Sequence, residues 1–389
     1  MIDGTRMRSH LCGIQSAWTE TSDVREAVAS VAALLDREPI GHLLVFFSPA
    51  YDAQDLIAAV DHHFPGVALL GCSSSGGISP AGAIDRGLVA IAFPRQGFRI
   101  VSDVLTRIDR LDVGGAASAV RSLRRALDQV RPDPVPGSQF ALSLIDAMAK
   151  AEETVVSAVA WALDGIPLVG GSAGDDLAFA GTVLIHHGAV HTNAAVLILV
   201  ETDFPIRIFK SDNFAPTPRK FVVTAACEEH RRVHELNAEP AAWEYAKAVG
   251  LDPENLTPMS FAAYPLAVKV GGEYYCRSIS RVEPDGSLTF FCAISEGAVL
   301  TLAEPHDIVE ATRAELSGLD EILGGLDLVI GFDCVLRRLD AESRQVRHRI
   351  SDLYSRYGVV GFETYGEQYR SMHLNQTFTG IAIGRNHPA

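Results

Sequence analysis

The 389 residues contain no Cys-x-x-Cys pair and no Cys/His set at zinc-finger spacing, which excludes the common structural zinc sites. No Cys-x-x-Cys-His element occurs either, so haem attached through thioether bonds is excluded by pattern. The six cysteines (Cys12, Cys72, Cys227, Cys276, Cys292 and Cys334) are scattered. With no signal-peptide pattern in view, they predict a reduced, cytoplasmic protein. No apolar run approaches the roughly 20 residues that cross a bilayer, so no membrane span is expected. Positive charge is short as well. Lys and Arg number 33 against 48 Asp and Glu, a net charge of −15, the wrong balance for gripping a phosphate backbone. The basic stretches 121–125 and 337–349 have helical spacing and acidic neighbours, and read as solvated helix faces. A GxSxG elbow, a P-loop, His-Glu-x-x-His and a GxGxxG between strand and helix are all missing. No catalytic constellation is expected.

What is present is a repeated design. Hydrophobic residues make up 48% and charged ones 21%, enough apolar content for sizeable cores in a chain about two domains long. An apolar run too short and too β-branched for a helix ends in a small or acidic residue. A helix-patterned segment follows, then a second apolar run and a glycine-rich turn. The first copy runs from LLVFF (Leu43–Phe47) to VALLGCSSSGG (Val67–Gly77), the second from FALSLID (Phe140–Asp146) to GIPLVGGSAGDD (Gly165–Asp176). The third runs from LDLVIGFD (Leu326–Asp333) to GVVGFETYGE (Gly358–Glu367). The unequal spacing rules out a solenoid. The predicted fold is α/β (mixed α+β): two domains, 22–226 and 227–384, with mixed sheets built from strand–helix–strand units and helices packed on them.

Further elements follow from pattern. Residues 22–35, 116–130, 240–249 and 307–318 have helical periodicity. Residues 87–93 and 98–105 predict two strands pairing as a hairpin across 94–97. Residues 181–187 and 194–200 predict strands bracketing HGAVHTN. DNFAPTPRK (212–220) reads as a loop, 132–137 as a proline-rich connector and 1–17 as a strand or arm. Residues 375–384 predict a final strand.

The glycine turns are the candidate sites, because glycine lets a backbone turn sharply and approach a ligand. Asp146, Asp175 and Asp176 offer an acidic cluster, although strand-end aspartates most often cap helices or satisfy loop amides. Cys72 and Cys292 are candidate nucleophiles only beside a base. Among 13 histidines, His186, His187 and His191 form one set, His230 and His234 another. His191 precedes an apolar strand, where a neutral imidazole is suited to ligate haem iron singly. His234 and His187 are the other candidates; a hydrogen-bonded surface histidine is the plain alternative at each position.

LLVFFSPAYD with GCSSSGGISPAG, SLIDAMAKAEE with PLVGGSAGDD, and HTNAAVLILVETDFPIRIFKSDNFAP resemble the N-terminal FIST sensory domain. YPLAVKVGGEYYCRSISRVEPDGSLTFFCAISEGAVL, GFDCVLRRL and VVGFETYGEQY resemble its C-terminal partner domain. The resemblance spans roughly 22–384. It implies a ligand-binding sensor of bacterial signal transduction and not an enzyme. FFSPAYD, FCAISEG and GFDCVLRRL are most similar to the nitric-oxide-sensing NosP branch. That likeness implies haem b, nitric oxide as the signal, and a partner histidine kinase or cyclic-di-GMP enzyme; dimerisation is left open. A haem-free FIST sensor would instead bind a small metabolite such as an amino acid through Asp146, Gly171, Ser172, Gly174, Asp175, Tyr365 and Glu367. A third reading is a cysteine-dependent enzyme. One departure stands out: Gly77 occupies the position where the family's first turn usually carries glutamate.

Overall fold

Three times along the chain the same order of elements recurs. A computed structural model describes residues 4–130 and 135–385; positions 1–3 of the N-terminal stretch and 132–134 of the connector lie outside them. In the first unit β1 (Arg6–Ser9) and β2 (Gln15–Thr19) precede α1 (Val24–Leu34), β3 (Ile40–Phe47), α2 (Ala53–His63) and β4 (Ala68–Ser73). The hairpin β5 (Gly77–Ser79)–β6 (Gly82–Ile84) and then β7 (Leu88–Pro94) complete it. The second unit is β8 (Phe98–Thr106), α3 (Val113–Val130), β9 (Gln139–Ile145), α4 (Glu152–Leu163) and β10 (Leu168–Ser172). Its hairpin is β11 (Leu184–His186)–β12 (Ala189–His191) and its last strand β13 (Ala194–Thr202).

The third unit opens on β14 (Ile206–Ser211) and is then interrupted. The insertion holds β15 (Phe214–Cys227), β16 (Arg232–Leu236), β17 (Glu239–Pro240), α5 (Ala241–Val249), α6 (Pro258–Ala263), β18 (Leu266–Val270), β19 (Glu273–Arg277), β20 (Ile279–Val282), β21 (Leu288–Phe290) and β22 (Val299–Pro305). The unit resumes at α7 (Ile308–Ile322), β23 (Leu326–Cys334), α8 (Val335–Ser343), α9 (Arg347–Tyr357) and β24 (Val359–Thr364). The hairpin β25 (Glu367–Tyr369)–β26 (Met372–Leu374) and β27 (Phe378–Gly384) end it.

Each unit builds one sheet with the same neighbours. β3 and β4, β9 and β10, and β23 and β24 pair in parallel. β7, β13 and β27 lie antiparallel beside the first strand of each pair, and β2, β8 and β14 pair beyond them. The hairpins do not stay at home. β5 pairs with β24, β11 with β4 and β25 with β10, so each unit completes another unit's sheet and the exchange closes in a ring.

Alternation places the cores. In β3, Leu44 and Phe46 face a central core shared by all three sheets, while Leu43, Val45 and Phe47 face α1 and α2. Because these strands are buried on both faces, they read as continuous apolar runs. Phe46 stacks on Phe362 with centroids 4.4 Å apart, joining the first and third units. Outer cores under α3 and α4, and under α7 to α9, repeat the arrangement. Asp52 and Asp307 cap α2 and α7 by accepting from backbone amides one turn ahead.

The mixed α+β fold agrees with the sequence reading, with differences in detail. β7 and β8 are not a hairpin: β7 belongs to the first sheet and β8 to the second. The 212–220 stretch is no loop but enters the long strand β15, which tolerates its prolines at a register break between Pro216 and Lys220. The helix-patterned segment of the third copy is two helices, α8 and α9, and HGAVHTN contains the short strand β12. The insertion forms its own sheet and core. Its entry and exit strands run side by side, Phe214 opposite Pro305.

Candidate functional site

The three glycine turns meet. Ser75 N–H donates to Glu363 O (3.1 Å) and Glu363 N–H to Gly76 O (2.8 Å); Ser172 N–H donates to Gly366 O (2.8 Å) and Tyr365 N–H to Ser172 O (3.1 Å). Gly174 N–H to Ser73 O (3.1 Å) and Ser73 N–H to Val183 O (3.0 Å) complete the ring. By register Gly77, Leu184 and Glu367 are equivalent, so the first turn carries glycine where the third carries a buried acid. The second turn is longer, and its extra residues carry Phe179 onto Tyr365.

The turn residues named by the sequence are brought together, largely in contact with one another. The Asp146 carboxylate accepts from Met148 N–H (2.9 Å), Asn193 N–H (2.5 Å) and the Thr182 hydroxyl. It closes a helical turn and ties two loops. Asp175 accepts from the amides of Phe179, Ala180 and Gly181 and from the Tyr365 hydroxyl. Burial alone would raise its pKa, but these donors outweigh it and hold the acid below its usual range. Glu367 is fully buried, bonded by Thr364 and by the hydroxyl of Thr377 (2.7 Å); burial pushes it up to about 8. Ser172 Oγ accepts from Gln368 (3.0 Å). A Cβ on Gly171 would strike Thr364 and Phe362, and one on Gly174 would strike Ser75, so these two glycines serve close packing.

Beside the turns, the inserted domain meets α4 and the third hairpin. Arg231, in the turn between β15 and β16, donates to Glu152, to Glu153 (2.9 Å) and to Phe291 O (2.5 Å). Glu153 also accepts from Ala293 N–H (2.8 Å). Burial works against its ionisation, yet His373, Arg231 and that amide hold its pKa below the usual value. Arg277 donates to His373 O (3.2 Å), and Cys276 and Ser278 both reach Gln376 Oε1. The Phe179 ring stacks on Tyr365 (4.7 Å) and lies 6.1 Å from Phe291. Both ring nitrogens of His373, 3% exposed, and Asn375 Oδ1 are buried without a hydrogen bond.

Against families of known proteins, residues 42–239 match the FIST N domain and residues 241–370 the FIST C domain. The chain belongs to the FIST family. FIST domains are sensory modules of signal transduction. The FIST N match covers most of units one and two and enters the insertion; the FIST C match covers the rest of the insertion and most of unit three, so the closed core takes strands from both. An uncharacterized protein of Methanocaldococcus jannaschii is similar, 24% identical over 384 residues, covering 87% of this chain and 73% of that protein. Among solved structures, a cyanuric acid hydrolase from A. caulinodans aligns over 96% of this chain and 99% of its own, at 10% identity and a TM-score of 0.38.

In this FIST chain His186, His187 and His191 gather on the β11–β12 hairpin, with ring centroids 4.2 and 6.3 Å apart. His186 and His187 both hydrogen-bond Ser102 Oγ (3.1 and 2.9 Å). Burial lowers His186 to about 4, keeping it neutral. His191 is half-buried and hydrogen-bonds none of the described residues through its ring. His234 lies apart from this set, on β16 of the insertion. Among the described residues no three His, Cys, Asp or Glu side chains group to hold a metal ion, and no helix is long and apolar enough to cross a membrane. Cys72 and Cys292 are buried; burial pushes Cys72 well up and Cys292 to about 12, which keeps both as thiols at neutral pH. Arg231, Arg277, His373 and Asn375 were not among the sequence candidates, since no motif or spacing marks them.

Proposed function

We propose that this FIST protein is a small-molecule sensor that works through the seam between its three-unit core and the inserted domain. A ligand there would bias two arrangements of the domain, and a partner signalling enzyme would read the difference. The observation that carries this reading is the Arg231 clasp: one guanidinium of the insertion, buried between Glu152 and Glu153 of the core. The domain is attached through two adjacent strands, and the clasp sits among a defined set of seam contacts, Glu153 with Ala293, Arg277 with His373, and Cys276 and Ser278 with Gln376, that would change together when it moves. Hydrogen exchange tests it. Arg231→Ala is expected to speed exchange at residues 289–293 and in the first turn of α4 while the other two units keep their protection. Unchanged exchange there would sink the reading.

A second reading is haem binding and nitric oxide sensing on behalf of a histidine kinase or cyclic-di-GMP enzyme. It is favoured by His191, whose neighbours are committed to Ser102 while its own ring is not. The imidazole is the right donor for an axial iron ligand, and bound haem would supply the gas-binding metal. A saturable Soret band that shifts with nitric oxide and collapses in His191→Ala supports it; broad, unsaturable adsorption of haem defeats it.

A further inference from the structure

At the seam the core buries unsatisfied groups next to the insertion, whose Arg277 donates to His373 O. His373 lies against Gly366, where a Cβ would strike its Cε1 and come within 3.0 Å of Nε2 and 3.2 Å of Asn375 Nδ2. The third turn is therefore bare so that this imidazole and this amide can sit beside it. Neither His373 nitrogen nor Asn375 Oδ1 has a partner. Buried polar atoms are nearly always bonded, and each orphan carries a desolvation penalty that a bound molecule would relieve.

The second observation is a guanidinium without an ion pair. Arg231 is matched by Glu152 and Glu153. Arg277, half-buried on β19, donates only to the carbonyls of Cys276 and His373 and has no carboxylate partner among the described residues. A guanidinium carries five donors in a planar fork suited to a carboxylate. Hydrogen bonds to backbone carbonyls join this cluster to an aromatic wall, Phe291 N–H donating to Ser278 O (3.0 Å) and Asn375 Nδ2 to Tyr365 O (3.5 Å): Phe179, 46% exposed, stacks on Tyr365 and faces Phe291. A planar apolar body fits against such rings.

We infer that the seam binds a small organic carboxylate, its anion held by Arg277 and His373 and its apolar body laid against Phe179, Phe291 and Tyr365. The anion would give Arg277 the direct carboxylate contact it lacks and His373 an acceptor. Asn375 Oδ1 would take a donor group on the ligand. Core and insertion would then be bridged by one molecule touching both, which is how occupancy reaches the Arg231 clasp. This inference rests on the seam being the sensing site.

Benzoate, its neutral analogue benzamide and inorganic phosphate serve as probes on the full chain, followed by calorimetry and by hydrogen exchange at residues 372–376. Benzoate is expected to bind and slow exchange there. Arg277→Gln, a half-buried change that leaves the fold intact, should weaken benzoate about tenfold or more, the loss of one charge-assisted contact. It should leave benzamide unaffected. Equal binding of benzoate and benzamide, or benzoate binding that Arg277→Gln does not weaken, overturns the carboxylate assignment while leaving a seam ligand in place. Binding of phosphate without benzoate overturns it too, because the aromatic wall then has no part. If none of the probes binds at the seam, the inference fails, and the exchange behaviour of Arg231→Ala judges the sensor reading separately.

Discussion

Arg231 and Glu152, 79 positions apart in sequence, share a buried hydrogen bond across the boundary between the insertion and the core. Arg231→Ala would strand two carboxylates, Glu152 almost wholly out of solvent. Removing one partner of a buried ion pair typically costs about 3–5 kcal/mol. Urea unfolding should show a loss of that size, with the insertion melting first; a loss below about 1 kcal/mol would mean the acids find other partners.

The three parallel strand pairs depend on three equivalent glycines. A Cβ on Gly71 would collide with Val45 O, one on Gly170 with Ser143 O and one on Gly361 with Gly331 O, each the partner directly opposite. Alanine at any of the three would force backbone strands apart, which flexible side chains cannot relieve. Each is expected to destabilise by about 3 kcal/mol or more, by chemical denaturation. A near-neutral alanine at one position would break the equivalence of the units.

The repeat itself was legible because it is written in local terms: LLGC, LVGG and VVGF each end an apolar run on a glycine that the sheet requires. The closure of the ring was not. Residues 94–97 look like a hairpin turn, and only the competition between β3 and β8 for β7 decides otherwise. Pro216 and Pro218 suggested a loop, since sequence gives no warning that a register break will accept them. Asp146, Asp175 and Glu367 stand out in the sequence as strand-end and turn acids, but backbone amides and neighbouring hydroxyls claim them, and those partners come from distant parts of the chain. Arg277 and His373, 96 positions apart, meet only through tertiary structure.

Stability should fall on both sides of neutrality. Glu363 and Glu367 are raised by burial from an ordinary value near 4.5 to about 8. The folded state therefore retains protons the unfolded chain releases, and the stability they contribute, complete below pH 4.5, is lost as pH rises to 8. His42 and His186, lowered by burial from 6.5 to about 4, act oppositely: their contribution is present above 6.5 and lost as pH falls toward 4. Glu367→Gln keeps an acceptor for Thr377 and removes one alkaline loss. It should exceed wild type at pH 8 by on the order of 2 kcal/mol and match it near pH 4.5. Parallel pH profiles for the two proteins would refute the assignment.

Phe362 stacks on Phe46 and meets Phe332 edge-on at 5.7 Å, in the core common to the three sheets. Phe362→Ala should lower stability by about 3–5 kcal/mol. The loss should appear in all three units at once by hydrogen exchange; loss confined to the third would show that they unfold separately.

The exchanged hairpins also set a timetable for synthesis. The second sheet is completed at one edge by β25 and β26, and β14 waits beside an empty place until β27 arrives. The ring cannot shut until residues 367–384 have left the ribosome. Non-local pairing of this kind slows folding and leaves strand edges open meanwhile, so a nascent chain truncated before residue 367 would have its first sheet complete but would leave the second without β25 and β26 and the third without β27.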